Sequence, residues 1–249
     1  MKKIATVFVL TLLMVWGGQA MAQTNGTMFM SAAFPLGSYA KGDISNNGDW
    51  ALINANVATR DAGAGIGANV GLKWNFGVGV PGLSVMLSAD GFFNGLNSDL
   101  KEYFDAREID MKNNALVSNY SLTRPKYFNV PVMVGINHIV YLSPSFGMYF
   151  EGALGANARF ITNYDETIKY VGNVTSETTY DYKTAFSFAY QFGTGFEVAK
   201  NFVIGVSFYD LGASKVSAVR TQPILGTDTY KNEKGVRPMM ILARIGFKF

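Results

Sequence analysis

The 249-residue chain has no cysteine and a single histidine, His138. Without thiols there can be no disulfide, no cysteine nucleophile, no thiolate metal site and no lipid-modified cysteine. One histidine leaves any metal site to scattered carboxylates, so neither a metal nor a cofactor is expected. Charge is sparse as well: charged residues make up 16% and the net balance is +3. No Lys/Arg cluster stands out, which argues against a nucleic-acid surface. Past the first residues there is no apolar run of the ~20 residues that a membrane helix needs. Aromatic residues, by contrast, reach 14% and glycines number 27, a combination suited to strands that carry rings on one face and relieve crowding on the other.

Residues 1–22 read as a signal peptide. Lys2 and Lys3 give a positive start, Ile4 to Trp16 an apolar stretch, and Ala20-Met21-Ala22 a small-residue cleavage site. An apolar stretch of that length is too short to span a membrane as a helix. The expected mature chain is therefore 23–249, exported after cleavage behind Ala22.

The mature chain repeats one pattern. In the closing segment, Gly235 to Phe249, Met239, Ile241, Ala243, Ile245, Phe247 and Phe249 form an apolar row at period two, and Met240, Leu242, Arg244, Gly246 and Lys248 a mixed one. Period two is the signature of a strand, whose side chains alternate between faces. Six further segments show it clearly: Ile66–Phe76, Leu83–Ala89, Tyr127–Tyr141, Phe146–Phe160, Ala185–Val198 and Phe202–Tyr209. Thr27–Leu36 shows it weakly, because Phe29 and Ala33 blur its polar face. Pro131 lacks an N–H and is expected where that ladder bond is absent, at a bulge or a local kink. The connections alternate between tight turns and long polar segments. A soluble sandwich would also alternate, but it has no need of a lipid-height apolar row in nearly every strand. The expected fold is all-β: an eight-stranded antiparallel up-and-down transmembrane β-barrel, with short periplasmic turns and long extracellular loops.

These features resemble the outer-membrane β-barrel domain proteins, often labelled porin family, of the eight-stranded OmpX/OmpA type. The resemblance rests on the signal peptide, on Tyr127-Phe128-Asn129-Val130-Pro131-Val132 and on the Gly246-x-x-Phe249 ending. It implies the outer membrane of a Gram-negative-type bacterium, outer-membrane lipids as surroundings, and a monomer. It also implies that Phe247 and Phe249 act as the assembly signal read by the barrel-insertion machinery.

Lys73, Asp90, Glu151, Arg159, Glu197, Arg244 and Lys248 all fall on inward rows. Charges of both signs in a narrow lumen are expected to pair and, with other side chains, to plug it. The alternative is a narrow passive channel for small solutes or ions. No enzyme is expected, since His138 falls on an outward row near a short turn, away from any serine it could activate. The loops offer further candidates. Ser98/Asp99 followed by Glu102 reads as a helix cap, with Leu100, Tyr103, Phe104 and Met111 at helical spacing. Tyr164 to Tyr182 reads as a hairpin standing beyond the membrane, with its turn at Gly172-Asn173. A structural or surface-interaction role follows, with an unknown surface ligand at the long loops.

Overall fold

A computed structural model describes residues 24–41, 63–215, 217–222, 226–231 and 236–249. Residues 1–22, the stretch read as a signal peptide, lie outside the described residues. Eight strands close into a ring: β1 (Asn25–Leu36), β2 (Ala64–Gly77), β3 (Leu83–Leu96), β5 (Tyr127–Ser143), β6 (Phe146–Ile161), β9 (Ala185–Val198), β10 (Phe202–Asp210) and β13 (Met239–Lys248). Every strand pairs antiparallel with its neighbours, and β1 closes the ring against β13, with Ala32 opposite Ala243. The barrel and its up-and-down order are those expected from the alternation.

The alternation is also what the structure realises in burial. Along β13, Ile241, Ala243, Ile245 and Phe247 are exposed on the wall, while Met240, Leu242, Arg244 and Gly246 are buried inside. Phe29 and Ala33, which blur the pattern of β1, face inward and are fully buried. In a lumen this narrow an occasional large apolar side chain serves as filler. Pro131 sits where a ladder bond is absent, as expected, but not at a bulge. On either side of it β5 holds one register with β3, Ala89 opposite Val132 and Phe92 opposite Asn129, so there is no bulge. Val130 and Pro131 are simply skipped in that ladder, while Pro131 stays paired with Asn157 of β6. The missing N–H thus falls on the β3 side, where a gap in the ladder absorbs it.

The short turns lie at the end where the described chain starts and finishes. One of them places Ala199 and Lys200 in the left-handed region, with φ of 50° and 65°, the backbone that lets a tight hairpin follow strand twist. At the other end the loops fold into a second, five-stranded sheet in the order β12-β11-β8-β7-β4. It comprises β4 (Val117–Thr123), β7 (Tyr164–Tyr170), β8 (Thr175–Tyr182), β11 (Ser217–Gln222) and β12 (Gly226–Lys231). The hairpin expected at Tyr164 to Tyr182 is β7-β8, turning at Gly172 and Asn173, and it adds no strand to the wall.

Two helices complete the fold of the described residues. α1 (Gly37–Ala40) follows β1 and buries Tyr39 completely. α2 (Ser98–Asn113) occupies the expected position, but its cap is Asn97, whose side chain accepts from Leu100 N at 2.9 Å. Ser98 and Asp99 instead occupy the first turn, where Asp99 offers a carboxylate to the helix dipole. Leu100 and Phe104 are buried, joining an apolar column that runs from Met240 and Leu242 in the barrel to Tyr164 and Tyr180 in the second sheet.

A charge placed on the lipid-facing row should be costly. Val206→Arg, midway along β10 on its exposed face, is expected to lower folding stability by about 2–4 kcal/mol. Urea titration of the refolded protein in lipid vesicles checks this, and a variant as stable as wild type would reverse the face assignment.

Candidate functional site

The lumen is crossed by a charge clamp. Glu151 projects from β6, and the strand opposite β6 in the ring is β1. The two strands flanking β1 supply its partners: Lys73 of β2, whose Nζ lies 2.7 Å from Glu151 Oε2, and Arg244 of β13, whose Nη1 lies 2.7 Å from Oε1. Arg244 Nη1 also donates to Ser207 Oγ at 2.9 Å, and Gln191 Nε2 donates to Glu151 Oε1 at 3.4 Å. Phe29, on β1 itself, lies beneath both cations, with Arg244 Cζ 4.0 Å and Lys73 Nζ 5.0 Å from its ring centre. These contacts spread the cost of burying charge over ion pairs, hydrogen bonds and a ring face. Gly193 makes room for the carboxylate, since a Cβ there would stand 2.8 Å from Glu151 Oε1 and 2.6 Å from Ser207 Oγ.

The other inward charges divide into two kinds. Towards the short-turn end, Lys248 Nζ pairs with Glu197 Oε2 at 2.9 Å. Among the described residues, Asp90 and Arg159 have neutral hydrogen-bond partners only. Asp90 accepts from Tyr209 OH at 3.1 Å and Asn69 Nδ2 at 3.4 Å. Arg159, 1% exposed, donates to Asn129 Oδ1 at 3.2 Å and to the backbone carbonyls of Val236 at 2.7 Å and Gly212 at 3.3 Å. Arg159 therefore fastens the segments flanking β11 and β12 over the lumen. Tyr39 fills the same mouth, accepting from Asn129 Nδ2 at 3.4 Å and packing edge-on against Tyr127.

Sequence reasoning did not find several of these partners. Tyr39 sits in the single turn of α1, which has no periodic signal, and Phe29 disturbs the pattern rather than marking it. Tyr209 and Asn129 are on recognised inward rows, but nothing in their spacing distinguishes them from filler. His138 is exposed on the outward row of β5, opposite Leu83 of β3 and Phe150 of β6, at the short-turn end. Among the described residues no three His, Asp or Glu gather to hold a metal ion.

Above the barrel, a second ionic site ties α2 to the five-stranded sheet. Arg107 grips Glu166 of β7 through Nε and Nη2, one edge of its guanidinium, at 2.7 and 3.1 Å, and Tyr120 OH of β4 donates to Glu166 Oε1 at 2.8 Å. The hydrogen bonds to Glu166 hold the Arg107 guanidinium above its usual range, and burial, followed by the same carboxylate, pushes the Tyr120 phenol up. Phe104, Tyr164 and Tyr180 form the aromatic core beside this site.

The sequence model of the outer membrane protein beta-barrel domain matches residues 8–249. The chain belongs to the outer membrane β-barrel family. No curated protein matches it. Solved structures similar to it include OprG from Pseudomonas aeruginosa, 14% identical over 92% of this chain and 97% of that one, with a TM-score of 0.45. Ail, the attachment invasion locus protein of Yersinia pestis, solved with the heparin analogue sucrose octasulfate, is 12% identical over 92% and 100% of the two chains, with a TM-score of 0.39. Neisserial surface protein A is 10% identical over 91% and 97%, with a TM-score of 0.38. Membership of the family assigns the protein to the outer membrane of a Gram-negative bacterium and its wall to a lipid environment.

Removing the carboxylate at the centre of the clamp should be far worse than removing an exposed one. Glu151→Gln leaves Lys73 and Arg244 buried without an anion and is expected to cost roughly 3–5 kcal/mol. Adding Lys73→Met and Arg244→Met should recover part of that loss. Equilibrium unfolding in detergent micelles, read by heat-modifiable gel mobility, measures both.

Proposed function

We propose that this outer-membrane barrel is a closed wall element that presents a rigid folded layer at the cell surface. The observation carrying this reading is the clamp: Glu151 reaches across the lumen to Lys73 and Arg244, below the Arg159 and Tyr39 plug. An eight-stranded interior is just wide enough to be filled by side chains, and here Arg159, Arg244, Tyr39, Tyr127, Tyr209 and Phe29 are among the largest fully buried ones. A cleft of about 320 Å³ opens at the short-turn end between Asn75, Asn137 and Lys248, and none of the clamp residues lines it.

A narrow channel is the second reading. It is favoured by Ser88 Oγ, Tyr149 OH and Asn137 Oδ1, buried polar atoms without a hydrogen-bond partner in the structure, which are groups that water can solvate. Planar-bilayer recording of the refolded protein separates the two. No stepwise conductance is expected, and regular ion-conducting steps would overturn the closed reading. The reading assigns no enzymatic role, no metal and no cofactor. It takes the protein as a monomer among outer-membrane lipids, delivered by a signal peptide removed after Ala22.

Phe247 and Phe249 are read as the signal for the barrel-insertion machinery. Phe249 exchanges backbone hydrogen bonds with Gly26, both 2.9 Å. Its ring lies so close that a Cβ on Gly26 would stand 2.5 Å from it, yet the residue remains 67% exposed. A ring so placed adds little burial to the finished barrel. Deleting Phe249 should therefore leave refolding in detergent intact while the protein accumulates in the periplasm or is degraded in cells; normal insertion in cells would defeat the recognition role.

A further inference from the structure

The second sheet continues the barrel wall in a particular sense. Ile161 and Ala185, inward residues at the ends of β6 and β9, lead to the buried Tyr164 and Tyr182 of β7 and β8. The inner face of the barrel thus becomes the α2-facing side of the sheet. By the alternation of strands, the opposite side of the sheet stands above the lipid-facing wall. That side is polar. One row across four strands reads Thr123, Asp165, Thr179 and Thr221, each opposite the next in register. A neighbouring row reads Ser121, Thr167 and Glu177.

Between this polar face and the hydrocarbon wall lies a step of positive charge. Lys126 precedes β5 and exchanges hydrogen bonds with Thr162 just beyond β6, its N–H donating to Thr162 Oγ1 at 2.9 Å and its carbonyl accepting from Thr162 N at 3.0 Å. Lys183 precedes β9, and its N–H donates to the Ser217 carbonyl at 3.0 Å. Lys215 lies two residues before Ser217. All three lysines are exposed, and none forms an ion pair among the described residues. Arg237, at the same rim, differs in that Asp210 holds it through both Nε and Nη2. Immediately below the step are exposed rings, Phe160 on β6 with Phe186 and Phe188 on β9, Phe186 being 72% exposed.

We propose that this wall docks a phosphorylated glycolipid of the outer leaflet: acyl chains against Phe160, Phe186 and Phe188, phosphate at Lys126, Lys183 and Lys215, and sugar hydroxyls on the Thr/Asp row above. The order of chemistry up the wall, apolar then cationic then hydroxyl and carboxylate, is the order found along such an amphiphile. Unpaired lysines at a lipid surface attract anionic headgroups, and threonine and aspartate offer the mixed donors and acceptors that sugar hydroxyls use. A peptide partner fits less well. Across the face Val219 is the one aliphatic side chain among the described residues of β4, β7, β8 and β11, which leaves no apolar pocket to anchor one. The proposal rests on the sheet being a folded, surface-presented layer.

The test uses the full mature barrel, refolded in detergent, with three probes: intact lipopolysaccharide, the same lipopolysaccharide with its phosphates removed, and phosphatidylglycerol vesicles. Replacing Lys126, Lys183 and Lys215 together by Gln should weaken binding of intact lipopolysaccharide at least about tenfold and flatten its salt dependence. Wild-type protein should bind the dephosphorylated form about as weakly as that variant binds the intact one. Thr179→Val with Thr221→Val should weaken lipopolysaccharide binding without changing binding to phosphatidylglycerol. Wild-type affinity in the lysine variant, or equal affinity of wild type for lipopolysaccharide and phosphatidylglycerol, overturns the proposal. Heat-modifiable mobility and protease resistance of the sheet are measured on the same samples. If they are retained while binding fails, the glycolipid proposal alone is lost; if the wild-type sheet itself is digested, the surface-layer reading falls with it.

Discussion

Closing the hydrogen-bonded seam between β1 and β13 is the constraint on which the rest of the molecule depends. A strand edge in hydrocarbon would leave a row of unpaired N–H and C=O groups, each costing several kcal/mol on the order usual for unsatisfied polar groups. Thr27 to Leu36 therefore meets Lys248 to Met239 without a break in register, and Gly26 with Phe249 extends the seam by one more pair. Once the ring is closed, alternate side chains have no choice of environment. One set faces lipid and must be apolar; the other faces a lumen that must be filled.

Filling that lumen with charge is costly unless every charge is answered, and the answers differ with depth. Nearest the short turns, a simple Lys248–Glu197 pair has partial access to water. At the clamp, one carboxylate is held between two cations above an aromatic ring, and Gly193 gives it space. At the far mouth, Arg159 donates to carbonyl and amide oxygens. Using backbone carbonyls in this way couples the lumen to the extracellular layer, because the carbonyls belong to the segments leading into and out of β11 and β12. The interior is thus one continuous polar and apolar column that locks the loops to the barrel.

The extracellular layer uses the same physics in water. Strands from three loops pair into one sheet, and α2 covers one side of it through Phe104 and the Arg107–Glu166 contact. Burial of that side forces polarity on the other by alternation, just as in the wall beneath. The exposed side is therefore chemically distinct from the barrel wall although the chain runs directly from one into the other. This change of character, within a few residues of Lys126 and Lys183, gives the rim its layered chemistry.

Local sequence pattern was sufficient for everything that depends on period two: eight wall strands, the face each side chain takes, the inward position of all seven lumen charges, and the β7-β8 hairpin. Lipid on one side of every strand makes that signal strong at Ile66–Phe76 or Ala185–Val198, and it weakens only where filler such as Phe29 occupies the lumen. Tertiary structure alone decided which charges meet. Glu151 finds Lys73 and Arg244 at separations of 78 and 93 residues, because ring order and stagger bring those strands to bear on one depth of the lumen, and neither is encoded in any local spacing. The same holds for the five-stranded sheet. Val117–Thr123 and Ser217–Gln222 are short and have no lipid face to impose a pattern, so they become strands only because β7 and β8 offer them edges with which to pair.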